Sequence, residues 1–146
     1  MELIVKEFNS LSVKELFEIY HLRSQIFIVE QNCAYQDVDD KDTVSNHLMI
    51  FENKKLIGYC RILPPNSSYM EPSIGRVAIN KDFRHNGLGK FLMQEAINKT
   101  KNLFEEHAIV ISAQFYLLKF YTDLGFKVEG SQYLEDDIPH IKMRLL

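Results

Sequence analysis

The chain has little of what marks several protein classes. Of its 146 residues only two are cysteine, Cys33 and Cys60, too few for a disulfide scaffold and suited to a reducing compartment. No run of Lys or Arg is longer than a pair and the formal net charge is −3, which argues against a nucleic-acid surface. The first apolar run, Leu3-Ile4-Val5, is far too short for a signal peptide or a membrane span. Repeats, linkers and low-complexity tracts are absent. Metal-type ligands do not cluster, so no metal is expected. The 46% hydrophobic and 25% charged fractions are those of an ordinary globular protein. Together these features predict one cytoplasmic domain over residues 1–146, with no nucleic-acid or membrane partner and a homodimer left open.

Taken in order, Leu3 to Phe8 reads as a strand. Ser12-Val13-Lys14-Glu15 fits a capping box, and Leu16, Ile19, Tyr20, Arg23 and Phe27 continue at helical spacing to about Val29. Residues 30–46 are rich in Asp, Asn and Gln without periodicity, a long loop of the kind that carries function. His47 to Phe51 and Lys55 to Leu63 read as a hairpin, with Cys60 sharing a core face with Leu56, Gly58 and Ile62. Ser73 to Ile79 is a β-branched strand, and Ala108 to Ala113 is an apolar run suited to a buried parallel strand. Phe115 to Leu124 is a short helix ended by Gly125. Phe126 to Gly130 and Ile141 to Leu145 close the sheet as an antiparallel pair. The fold class is α/β with a mixed sheet flanked by helices.

The chemistry centres on Arg84-His85-Asn86-Gly87-Leu88-Gly89-Lys90, between the 73–79 strand and a helix that opens near Gly87. Glycines let main-chain N–H groups approach an oxygen ligand, and a helix N-terminus favours negative charge, so the loop is suited to phosphate. It is not a Walker A loop, because Arg84 stands at the first Gly position and Phe91 at the Ser/Thr position. Nor is it a dinucleotide fingerprint, which needs a third glycine where Leu92 stands. What is left is Arg-x-x-Gly-x-Gly after a strand, which resembles the pyrophosphate loop of the GNAT superfamily of acyl-CoA N-acyltransferases.

Further residues carry that resemblance along nearly the whole chain. The Phe115–Phe126 segment resembles the superfamily's late Phe-Tyr-x-x-x-Gly-Phe motif, whose tyrosine falls on Tyr121. Phe27-x-x-Glu30-Gln31, Tyr35, Asp39, Asp42, His47, Gly75-Arg76-Val77 and the ending Tyr133 to Met143 are similar to the ElaA-type branch. The resemblance implies the GNAT fold, with CoA held between splayed parallel strands. It implies acetyl-CoA as acyl donor and a small-molecule or peptide amine as acceptor, joined in a ternary complex. In that role the main chain of Val77, Ala78 and Ile79 would bind the pantetheine arm as an added strand does, and Arg84 to Lys90 the pyrophosphate. Tyr121 would protonate the departing thiolate.

The acceptor side is less determined. Many relatives place a Glu on the central strand, whereas this chain reads Ile74-Gly75-Arg76-Val77, and a guanidinium cannot act as a base. Glu30, His47 or a water chain are candidates for that role. Arg76 shares the face of Ile74 and Ala78 and suits either a substrate carboxylate or a buried pairing. Asp137 and His140 are further substrate-side candidates. Asp37 to Asp42 lacks the Gly and the closing Glu of a calcium loop; with Glu135, Asp136 and Asp137 it forms instead a potential acidic lip for a cationic amine. Cys33 has no histidine at a spacing that would make it a nucleophile. Two rivals stand beside the leading reading. One is an acyltransferase with another donor, since Arg23-x-x-x-Phe27 is similar to acyl-homoserine lactone synthases; the other is a CoA-binding sensor without turnover.

Overall fold

A computed structural model describes residues 1–105 and 108–146. After strand β1 (Glu2–Glu7), Ser12 and Glu15 form the reciprocal capping box that opens helix α1 (Val13–Arg23). The helix continues as a wider π turn through Ser24–Glu30, so the helical run ends one residue beyond the expected Val29. That wider turn buries Ile26 and Phe27.

Strands β2 (Asn46–Glu52), β3 (Lys55–Leu63) and β4 (Ser73–Ile79) join β1 in an antiparallel sheet of order β1-β2-β3-β4. Helix α2 (Leu88–Leu103) then leads to β5 (Ile109–Gln114), and helix α3 (Leu118–Asp123) leads to β6 (Lys127–Val128). The last strands, β7 (Tyr133–Glu135) and β8 (Ile138–Leu145), complete a second antiparallel sheet, in which β8 pairs with β5, β6 and β7.

Among the described residues, the main-chain bond that links the two sheets lies at the start of β4 and β5, where Val110 N–H donates to the Pro72 carbonyl at 3.1 Å. Beyond that bond no ladder joins the two strands. The parallel element expected from the sequence is therefore this divergent junction, and among the described residues every hydrogen-bonded ladder is antiparallel.

Helices cover both faces of the first sheet. Leu48, Ile50, Cys60 and Ile62 pack with Leu92, Met93 and Ala96 of α2. Met49, Tyr59 and Ala78 pack with Ile19, Leu22, Ile26 and Phe27 from the first helical run. Cys60 lies in the core as its alternation predicts, but Leu56 packs on the opposite face, because the β2–β3 register shifts at Ile50/Phe51.

A second irregularity shapes the cleft. Between the Arg61↔Gly75 and Tyr59↔Ala78 pairs, β4 carries one residue more than β3. Arg76 absorbs it in the left-handed region, φ 49°. A bulge of this kind bends its strand, leaves a residue unpaired and flips the alternation beyond it. Ile74 therefore packs toward α2 and Ala78 toward α1, so Arg76 does not share one face with both.

Candidate active site

Where β4 and β5 part, a cleft of about 1130 Å³ opens. One end is the loop singled out in the sequence. Gly87 is the N-cap of α2 with φ 77°, and His85 also has positive φ, 67°. A Cβ built at Gly87 would meet no atom within 4 Å, so glycine answers a backbone need there rather than a packing one. The 16-residue helix has no side-chain cap and no acidic residue in its first turn. Its leading N–H groups thus lack a side-chain acceptor, and Leu88, Gly89 and Lys90 line the cleft. Free donors at a helix N-terminus beside Arg84 fit a pyrophosphate well. Asn86 is exposed and Ala78 buried, and neither contributes a side chain to the lining.

Arg84 already has partners. Its Nε–H donates to the Ile79 carbonyl at 3.0 Å, and its two terminal nitrogens donate to the Glu30 carboxylate at 2.6 and 3.0 Å. Glu30 lines the cleft, but as the counter-ion of the loop's arginine.

Tyr121 lines the same cleft while only 6% exposed. Phe120 and Phe126 hold its ring in edge-on contacts at 5.0 and 5.9 Å. Burial pushes its phenol well above the ordinary range, so at neutral pH the hydroxyl keeps its proton.

The far wall is made by the acidic loop. It folds over a short 3-10 turn, Asp40–Val44, capped by Asp39, and its carboxylates turn inward onto three arginines. Arg23 binds Asp37 at 2.9 Å and Asp42 at 2.8 Å; Arg61 binds Asp42 at 2.9 Å and Asp39 at 2.6 Å. Arg76 binds Asp37 at 2.9 Å and Asp39 at 3.5 Å. The six side chains close a ring of alternating charge. Its charges cancel, which corrects the expectation that Asp37, Asp39 and Asp42 form an acidic lip. The expected alternative for Arg76, a structural pairing, is the one observed. Burial alone would raise the Asp42 carboxyl, but Arg23 and Arg61 outweigh it and hold Asp42 below the usual carboxylate range.

His47 is not brought to the cleft. It is fully buried, with Nδ1 2.6 Å from the Tyr59 hydroxyl and Nε2 2.8 Å from the Asp42 carbonyl. Burial lowers its proton affinity below the ordinary value. It ties the acidic loop to the sheet and offers no nitrogen to a substrate.

The C-terminal acidic run forms a feature the sequence reading missed, the β7–β8 hairpin. Asp136 and Asp137 are its two-residue turn, both with positive φ, 51° and 61°. Such a turn matches the twist of the flanking strands, and the doubled aspartate was its only signal. Asp137 is exposed at the tip and does not line the cleft, whereas Glu135, Asp136 and His140 do. His140 Nδ1 is 2.7 Å from the Ile138 carbonyl, and its Nε2 stands 3.5 Å from Glu135 Oε2. Ser112 Oγ–H donates to the other Glu135 oxygen at 3.2 Å.

A strand junction that parts over an uncapped helix N-terminus, with a buried phenol at its base, is the arrangement of an acyl-CoA N-acyltransferase. The chain belongs to the acetyltransferase (GNAT) domain family, whose model matches residues 21–146. Within it the resemblance is to the ElaA branch. Protein ElaA of Escherichia coli K12 is 34% identical over 137 residues, covering 92% of this chain and 90% of ElaA. A UPF0039 protein of Schizosaccharomyces pombe is 44% identical over 147 residues, covering 99% of this chain and 97% of that protein. Among solved structures, an acyl-CoA N-acyltransferase from Pseudomonas aeruginosa superposes with TM-score 0.94 at 38% identity, covering each chain fully (100%).

Proposed function

We propose that the protein transfers an acetyl group from acetyl-CoA directly to an amine, with both substrates in the cleft at once. The observation that carries this reading is the divergence of β4 and β5 beyond the Pro72–Val110 bond, with the uncapped α2 N-terminus on one side and Tyr121 at its base. Acetyl-CoA supplies an activated acyl carbon and a thiolate leaving group. Main-chain groups of Val77 to Ile79 bind the pantetheine arm, and Arg84 with the N–H groups of Gly87 to Lys90 binds the pyrophosphate. The bulge at Arg76 supports a main-chain N–H near Val77 as the oxyanion donor, because a bulge frees ladder groups. Tyr121 gives its proton to the leaving sulfur. The proposed chemistry is acid–base.

Calorimetry with CoA tests the reading. Binding in the micromolar range is expected for the wild type, and Arg84→Glu, which reverses charge at the pyrophosphate, should weaken it at least about 100-fold, a loss of roughly 2.7 kcal/mol. No heat and no competition at millimolar CoA would sink the donor assignment.

A further inference from the structure

One pair in the cleft has unmet demand. The His140 side chain is 8% exposed, and its Nδ1 faces a carbonyl, Ile138 O, at 2.7 Å. A carbonyl only accepts, so Nδ1 carries the proton and Nε2 of the neutral ring is the bare, basic nitrogen. Another acceptor, Glu135 Oε2, stands 3.5 Å from that nitrogen, which takes part in no hydrogen bond among the described residues. Two acceptors facing each other in a cleft favour a cationic N–H group between them. The neighbours do not supply one. Tyr133 of β7 stacks on the imidazole at 6.2 Å and spends its hydroxyl on Ser112. Gln114 of β5, opposite His140 in register, bonds Gln31 instead. Lys142, the next cation along β8, lies over the Tyr69 ring and pairs with Glu129.

Resting on the acetyltransferase reading above, we infer that Glu135 and His140 receive the acceptor as a primary ammonium ion and that His140 Nε2 is the general base. The carboxylate, oriented by Ser112, holds the ammonium. Nε2 takes one of its protons, and the freed lone pair forms the N–C bond to the acetyl carbon. The C–S bond then breaks and the sulfur takes the Tyr121 proton. The second proton leaving the nitrogen restores the phenol through solvent, so each turnover releases one proton to bulk. This pair stands in for the strand carboxylate that the Ile74-Gly75-Arg76-Val77 segment lacks, and it restricts the acceptor to amines that are cationic when they bind.

Two measurements test it. In ¹⁵N-histidine NMR of the free protein, the neutral His140 should show a bare Nε2; a bare Nδ1 overturns the base assignment without recourse to any activity. Acetyl transfer is then followed by thiol release with n-butylamine, spermidine and a lysine tetrapeptide as probes. His140→Gln should lower kcat/KM at least about 100-fold, the usual scale of general-base loss. Glu135→Gln, at a half-exposed position that folding tolerates, should raise the amine KM about tenfold, and both variants should keep CoA affinity within about twofold, because neither side chain belongs to the loop proposed to bind the pyrophosphate. Transfer undiminished in His140→Gln overturns the proposal. So does a wild type that binds CoA but acetylates none of the probes. A wild type that does not bind CoA fails the parent reading instead, which separates the two.

Discussion

Replacing Arg23 with methionine keeps most of its volume and removes one corner of the charge ring. Arg23 is wholly buried and donates to Asp37 Oδ2 at 2.9 Å, Asp42 Oδ1 at 2.8 Å and the Asp37 carbonyl at 2.7 Å. In its absence Asp42, 1% exposed, keeps Arg61 and the Asp39 N–H, and Asp37, 5% exposed, keeps Arg76 and the Tyr35 hydroxyl. Two buried carboxylates then face one arginine too few. Removing one partner of a buried ion pair costs about 3–5 kcal/mol, chiefly for the charge left behind. At about 3 °C per kcal/mol for a chain of this size, the thermal midpoint should fall by roughly 10–15 °C. The second arm adds Asp42→Asn, which restores the balance of two arginines against two aspartates. The double variant should be more stable than the sum of the single losses by at least about 1 kcal/mol. Urea denaturation followed by circular dichroism reads both quantities. A single-variant loss below about 1 kcal/mol, or strict additivity in the double, would refute the ring as a coupled network.

Glu30→Gln should act oppositely to Arg84→Glu and tighten CoA binding, since it frees the Arg84 guanidinium. The gain should stay within about fivefold, because a half-exposed pair is worth under about 1 kcal/mol; weaker binding in calorimetry would place Glu30 on the ligand's side. Tyr121→Phe should lower kcat by about 10–100-fold, at the low end of general-acid effects because thiolate is a fair leaving group, while CoA affinity holds; unchanged turnover would remove Tyr121 from the acid role. Stability should fall with acid in two stages. His47 is depressed below its ordinary 6.5, first by burial, so the unfolded chain takes up a proton that the folded one refuses, and stability declines as pH falls below 6.5. Asp39 and Asp42 are held below 3.8 by their arginines despite burial, and their contribution is lost as pH falls below that value. Thermal midpoints at pH 7.5, 5.5 and 3.5 measure the decline, and His47→Asn should flatten the first stage only.

The strand, loop and helix of the proposed donor half were legible because their signals are local. The β-branched strand, the turn glycines and the helical spacing that follow one another from Ser73 to Ala96 state a strand, a loop and a helix without long-range information. The ring was not legible as a ring. Its bonds join residues 14, 19 and 39 positions apart, as in Arg23–Asp37, Arg23–Asp42 and Arg76–Asp37, and a run of aspartates reads from sequence as a solvated face. Arg76 was misplaced for a different reason. Period-two alternation assumes an unbroken ladder, and the left-handed residue that breaks it is Arg76 itself. His47 begins a strand beside a polar loop, yet in register it lies opposite Arg61, so its nitrogens face the network rather than solvent.

The ring also bears on where the proposed cationic acceptor would be recognised. Arg23, Arg61, Arg76 and Lys41 against Asp37, Asp39, Asp40 and Asp42 leave the wall formed by residues 23, 37–42, 61 and 76 close to neutral, so the most acid-rich stretch of the chain exerts little net attraction on a cation. Its work is mechanical, since it anchors the loop against α1 and β3 and fixes one side of the cleft. In the proposed acceptor arrangement, attraction falls instead to Glu135 and Asp136, which line the cleft from a hairpin whose turn carries Asp136. Density of charge in the sequence and field in the cleft are thus inversely related here, because the aspartates that fold inward are the ones already matched.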